Sequence, residues 1–493
     1  MAILHFVIPF GILIIFTVGL RKPLWLAALI SYLASFGMFL VLGDPASELF
    51  KGLAMGFFVA LEISFIIIGA IFFLNFLKGN GVIDKINGEL KNVTGNKILQ
   101  VLLLAWLFGS FIEGSAGFGT PALIIAPLLF ALGFPILLAV AVPLLANTTA
   151  VAFGAVGTAI KIGFAGIDIP HIATTAALLN LCTGFIVPLS LVWVLHKHHV
   201  KLSPKTIPQY LLFAVWAGFA LTFPSWLISY LGPEFPSLLG ALVGLFILLL
   251  SIKYRLFMPK DALEKKDINL LALLIPFLPY IGLSILLIIG RLVFGMGHIN
   301  IPLWDGLAKK LYIFQPSMAF FVMPLILLLL FRKSFHWDKV RPSLHIALKA
   351  APRPAIAILF LAAIAQNLVL SEQSFLSPFL PQLPVELTVF LIPFFGALGS
   401  FAAGSATVSN LLFGHEINYV AGLIQVDSNL MLSLQLIGAS IGNAVALQNI
   451  AVVQAAVLMH GREKDLLRIL TLPVLIYLVF VGLMGVLFLY MGK

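Results

Sequence analysis

Apolar runs of about 20 residues, the length that carries a helix across the hydrocarbon core of a bilayer, recur from one end of the chain to the other, with the charges between them. That alternation nearly dictates the fold class. In lipid the backbone N–H and C=O groups have no water to bond, so each run must satisfy them internally as a helix. A soluble core could not hide the 61% of the 493 residues that are hydrophobic. The reading is an all-α polytopic membrane protein with about 12 transmembrane helices. They fall near 3–20, 23–42, 52–77, 135–160, 171–195, 208–231, 237–252, 268–291, 313–331, 354–371, 430–459 and 470–491. Two shorter segment pairs, 98–133 and 385–425, are left over.

The net charge of +10 does not point to nucleic acid, because the positive residues lie in short loops between spans. With the N-terminus outside, cytoplasmic loops hold 21 lysines and arginines and outer loops hold 6. This asymmetry orients the chain in the cytoplasmic membrane with both termini outside. The start, "MAILHFVIPF", lacks a basic n-region and reads as a first span. The single Cys182 excludes an internal disulfide and a cysteine metal cage. Neither metal nor cofactor is expected, and the expected neighbours are membrane lipid and, as one permitted assembly, a homodimer.

The alternation of loop charge holds only if each leftover pair enters and leaves on one face. The pair at 98–133 must return inside and the pair at 385–425 outside. Each arm has roughly 12–16 residues, too short to cross comfortably, so both read as re-entrant hairpins of opposite orientation. Their tips share a motif. "GSFIEGSA" (109–116) and "GSFAAGSA" (399–406) agree at six of eight positions, 290 residues apart. Asn147 in "NTTAVAFG" faces Asn443 in "GNAVALQN" at an offset of 296, and Asn75 faces Asn367 at 292. Elements entering from opposite faces at one offset predict an inverted repeat. The expected organisation is repeat A over 1–197, two linking transmembrane helices over 198–267, and repeat B over 268–493. The spans 135–160 and 430–459 are broken helices, interrupted by "LLANTTAVAFGAVGT" and "IGASIGNAVALQN".

Non-helical backbone at membrane depth is tolerated where it is buried in protein or lines a cavity. Two glycine-rich tips and two broken helices therefore predict a central site. Glycines permit tight turns, and the N–H groups at the start of a second arm suit an anion. The candidate donors and acceptors at the first tip and break are Ser115, Gly117, Gly119, Thr120, Asn147, Thr148 and Thr149. At the second they are Ser405, Thr407, Ser409, Asn410, Asn443, Gln448 and Asn449. An acid in the membrane interior is costly when ionised, which makes Glu113 at the first tip the candidate proton carrier and Glu62 its alternative. Each polar group has a plainer reading as a helix cap or packing contact. No lysine or arginine is expected at the midplane, and Arg353 reads as an interfacial side chain at a helix end. "HKHH" (196–199) reads as inner-loop charge and not as a metal tract, and "GVIDKING" (81–88) lacks the ending of a phosphate loop. "VIDKINGELKNV" (82–93) suits a short amphipathic connector.

The stretches "EGSAGFGTP" (113–121), "NTTAVAFGAVG" (147–157), "GSATVSNLLFG" (404–414) and "ALQNIAVVQAA" (446–456) resemble the signatures of the L-lactate permease family. The resemblance covers most of the chain and is most specific in the first tip and first break. It implies proton-coupled uptake of lactate and related 2-hydroxy monocarboxylates such as glycolate. It also implies a fold similar to the ion transporter superfamily, with hairpins in a mobile transport domain, and leaves elevator-type and rocking motion as alternatives. The chain departs from the family at Ala406 (an acid), Val408 (a hydroxyl) and Leu447 (a proline). Residue chemistry alone leaves sodium-coupled carboxylate transport and an anion or solute channel as alternatives. An intramembrane enzyme is not expected, since "GSAG" is not a nucleophile elbow.

Overall fold

The computed structural model describes every residue except 1, 43–44, 118, 263–273, 295–296, 305–306, 371–373 and 492–493. Phe118 of the first tip and the expected repeat boundary at 267/268 therefore lie outside the described residues. Among the described residues the architecture is helical, as expected, apart from one antiparallel strand pair, His298–Trp304 with Leu307–Tyr312. This pair fills the interval between the spans expected near 268–291 and 313–331; His298 pairs with Tyr312 and Ile301 with Lys309.

Among the described residues ten helices are long and apolar enough to cross a membrane, and up to 12 if each of two bent pairs is one span. These are not the same segments in every case. The first arms of the two leftover pairs, Lys97–Ser115 and Val385–Ala403, each run 19 residues, longer than the arms read from sequence. Val7–Gly19 and Pro316–Leu330 fall short of 18 residues. The bent pairs are Ile136–Val151 with Gly154–Lys161, at 57°, and Ser428–Val445 with Leu447–Ala456, at 47°. Both coincide with the spans expected to be broken.

The connector before the first hairpin is helical over Val82–Lys91 and buries Val82, Ile83, Ile86 and Leu90. Asn96 then caps Lys97–Ser115, its side-chain oxygen accepting from the N–H groups of Ile98 (3.0 Å) and Leu99 (3.2 Å). Residues 98–115 are all buried in protein. Trp106 Nε1 donates to the Ala217 carbonyl at 3.0 Å, which ties this arm to the helix Ile207–Ser229. At Gly114 a Cβ would strike the backbone of Ser237 and Leu238, so the arm meets the start of the next span backbone to backbone.

The second hairpin packs differently. Val385–Ala403 lies along Ser428–Gly442, and Gly396, Gly438 and Gly442 each press against a main-chain carbonyl of the facing helix. Close approach through small residues is how membrane helices gain van der Waals contact where lipid is as apolar as they are. The long helix Ala46–Gly79 rests on Pro352–Leu370, and Leu24–Leu42 packs on the latter as well. Gly56 touches the Leu359 carbonyl and the Ala363 backbone across the first of these seams.

Candidate functional site

The backbone breaks make the site. In the first bent pair Ala155, Val156 and Gly157 have φ of 44°, 51° and 77°, in the left-handed region. Two side-chain-bearing residues there, one of them β-branched, cost on the order of 1–3 kcal/mol each. The packing around them holds the conformation. Gly117, at φ 60° in the first tip, lies against Ala155 so closely that a Cβ would overlap it at 2.6 Å. Ser237 Oγ donates to the Ala150 carbonyl at 2.7 Å, and Thr158 Oγ1 donates to that of Ala155. In the second bent pair Ala446 is extended (φ −63°, ψ 122°) between Asn443–Val445 and Leu447–Ala456. Asn449 Nδ2 donates to the Asn443 carbonyl (3.0 Å), to Asn443 Oδ1 (2.5 Å) and to the Gly404 carbonyl (3.3 Å). One amide thus joins the second break to the second tip.

The first tip is joined to its break by a different pair. Asn147 Nδ2 donates to Glu113 Oε2 at 2.9 Å, and both residues are buried. Glu113 Oε1 lies against the α-carbon of Gly154, in space that any larger residue would fill.

The four elements close around a cavity of about 600 Å³. Of the residues expected from sequence, Glu113, Gly119, Ser405, Thr407, Asn443, Gln448 and Asn449 line it. Asn147 and Thr148 line a recess of about 70 Å³, shared with Gly119, Asn443 and Asn449. Among the described residues two polar atoms in these walls are buried without a protein partner, Asn147 Oδ1 and Gln448 Nε2. They offer one acceptor and one donor to a small polar ligand.

The remaining expected residues line neither space. Ser115 Oγ donates to the Ile112 carbonyl at 3.0 Å, inside its own helix. Gly117 is absorbed in the contact with Ala155, and Thr120 begins the second arm just outside the cavity wall. Ser409 Oγ donates to the Gly396 carbonyl (2.8 Å) and holds the two arms of the second hairpin together. Asn410 Nδ2 donates to the Ala159 carbonyl at 2.9 Å, pinning that hairpin to the first bent pair. Thr149 faces a separate, much smaller space beside Asn180 and Ser237. Glu62 is half-buried on Ala46–Gly79, away from the cavity.

Residues outside the expected site enter as well. Arg353, expected at a lipid interface, lines the cavity together with Arg21, Lys22 and Glu463. The only sequence signal was the pair of prolines around it in "APRPA", which marks a chain turn. Two further buried acids are engaged elsewhere. Glu234 pairs with Lys161 and accepts two N–H bonds from Arg291, at 3.1 and 3.0 Å, which anchors the end of Gly154–Lys161. Glu416 accepts from Ser374 Oγ (2.7 Å) and from the N–H groups of Phe375 and Leu376. Among the described residues no group of three metal-binding side chains comes together. In the "HKHH" stretch His196 Nδ1 accepts from the Leu202 N–H at 3.1 Å, and His199 lies beside the Phe134 ring.

Comparison with known proteins places these features in context. The model of the L-lactate permease family matches residues 2–294 and 304–492. The L-lactate permease of Escherichia coli K12 is 29% identical over 486 residues, covering 89% of this chain and 86% of its own. The glycolate permease GlcA of the same organism is 28% identical, covering 90% and 87%. The L-lactate permease of Bacillus subtilis 168 is 26% identical, covering 83% and 81%. Among solved structures, the YdaH transporter of Alcanivorax borkumensis aligns over 91% of this chain and 90% of its own, with 13% identity and a TM-score of 0.47.

Proposed function

The chain belongs to the L-lactate permease family, and we propose that it carries L-lactate, glycolate and related 2-hydroxy monocarboxylates across the cytoplasmic membrane together with a proton. The observation that carries this reading is the cavity in which both tips and both breaks meet, with Glu113 in its wall. A 2-hydroxy acid needs donors for its carboxylate and a donor–acceptor pair for its hydroxyl. Ser405, Thr407, Asn443, Gln448 and Asn449 supply these on one side, Asn147 on the other. Glu113 supplies the exchangeable proton. An ionised carboxylate in the membrane interior costs at least about 2.5–3.5 kcal/mol, so proton uptake and anion entry favour each other when both occur in one cavity.

In this reading the two hairpins and two bent pairs are inverted repeats that move between two access states. Arg21, Lys22 and Arg353 at the cavity rim are exposed. Loop charge assigns that rim to the cytoplasm, so the state described is open inward.

Two measurements test this. In proteoliposomes, an inward proton gradient should drive lactate and glycolate accumulation, with unlabelled lactate and glycolate competing better than pyruvate, acetate or succinate. Accumulation that follows a sodium gradient instead would replace the proton. Equilibration without accumulation under either gradient would indicate a channel. For the topology, single cysteines at positions 96 and 134 should both label from inside, and those at 384 and 427 both from outside, with an impermeant thiol reagent. A change of face across either pair makes it two full crossings.

A further inference from the structure

We propose that Arg353 and Arg21 form a carboxylate clamp at the rim of the cavity, and that Arg353 sets the preference for an anionic over an uncharged hydroxy compound. This rests on the transport reading above and names the residues that read the substrate's charge. The observations are independent of the tips. Arg21 and Lys22 enter the cavity wall from the end of the first helix, and Arg353 from the start of Pro352–Leu370. Three cations from two separate elements thus line one cavity with two acids, Glu113 and Glu463. The balance is positive with both acids ionised, and more so once Glu113 is protonated. Among the described residues no carboxylate pairs with Arg21, Lys22 or Arg353. Elsewhere the protein pairs half-buried cations, as Lys161 and Arg291 are paired by Glu234.

Backbone conformation adds a second argument. Arg21 has φ 52°, in the left-handed region where a helix ending favours glycine. It follows a π-helical turn, Ile15–Gly19, closed by the Leu20 and Lys22 N–H groups on the carbonyls of Ile15 and Phe16. An arginine there bears a conformational cost that glycine would avoid, and the residue lines the cavity. A guanidinium presents a planar fork that matches a carboxylate with two parallel hydrogen bonds, which a lysine cannot do. The cavity, at about 600 Å³, has room for an anion at the rim as well as for one between the tips. The clamp is therefore the first contact of a substrate entering from this side.

The test is equilibrium binding of radiolabelled L-lactate to the full-length protein in detergent, with unlabelled lactamide, the uncharged isostere, as competitor. Loss of a charge-assisted hydrogen bond, worth ~1.5–3 kcal/mol, is roughly a ten- to hundredfold change. Arg353→Gln should weaken lactate binding by about that factor and leave lactamide unchanged, so the lactate-to-lactamide preference collapses. Arg21→Gln should show a smaller loss of the same kind. Arg353→Lys should recover part of the affinity, and it serves as the measured variant if the glutamine protein does not purify. Wild-type lactate affinity in Arg353→Gln and Arg21→Gln overturns the clamp and leaves the transport reading standing. An equal loss for lactate and lactamide also overturns it, since that is the mark of a structural defect. If the wild-type protein binds neither lactate nor glycolate, the transport reading fails and the clamp falls with it.

Discussion

Glu113→Gln abolishes accumulation of lactate driven by a proton gradient, while exchange of labelled for unlabelled lactate persists. The expectation follows from where the side chain sits. It is buried in the cavity wall at the tip of the first hairpin, and Asn147 Nδ2 donates to it at 2.9 Å. Glutamine has nearly the same shape and keeps an oxygen for Asn147 to bond. What it cannot do is change its charge. A cavity that is permanently neutral at this point still admits the anion, so binding and exchange continue, but no proton travels with it. The measurement is accumulation in proteoliposomes with an acid exterior, set beside counterflow without a gradient. Wild-type accumulation in the variant would move the proton-carrying role to another acid, Glu463 at the rim or Glu62 on Ala46–Gly79.

A second large effect is expected from the smallest possible change. Gly154→Ala should cut lactate uptake at least tenfold with the protein still in the membrane. Gly154 opens the helix after the first break, and an added Cβ would lie 3.1 Å from Glu113 Cδ and 3.2 Å from Cγ, and overlap Oε1. Overpacking of this kind typically costs about 1–3 kcal/mol. Here relief comes by pushing the carboxylate off Asn147, so the defect appears in transport before it appears in folding. Gly422→Ala is the control, because nothing lies within 4 Å of the Cβ it would add. Uptake rates are compared at equal amounts of protein in the membrane. A Gly154→Ala protein that transports as the wild type does would show that the carboxylate is not confined against that glycine.

Much of the architecture could be read from the chain because membrane proteins announce their constraints. Apolar length marked most of the spans but placed Val7–Gly19 and Pro316–Leu330 among them and left out Lys97–Ser115 and Val385–Ala403, and the Asn-containing interruptions at 147 and 443 marked both bends. Glu113 stood out as an acid in a tip that has no reason to carry one. What stayed hidden was the direction in which short polar side chains point. Ser115, Ser409 and Asn410 look like ligand groups in sequence, yet each is bonded to a main-chain carbonyl. Ser405 and Asn449, from the same motifs, line the cavity. Only tertiary packing separates these cases. Arg353 lies at a helix end, as read from sequence; what packing adds is that this helix sits between Leu24–Leu42 and Ala46–Gly79, so that its start also lines the cavity. The strand pair at 298–312 carries no apolar run long enough to register as an element of a membrane fold.

The enclosure of residues 98–115 has a consequence for synthesis. This segment is apolar enough for the insertion machinery to release it into lipid, yet in the finished protein it touches none. Its partners at Ala217, Ser237 and Leu238 leave the ribosome much later. The nascent chain must therefore hold a greasy helix in waiting, at the edge of the translocon or against the earliest spans, until Ile207–Ser229 and Pro236–Tyr254 arrive to wrap it. A pause or a truncation between 131 and 236 would strand that helix facing lipid with Glu113 at its end, a form that membrane quality control is equipped to recognise.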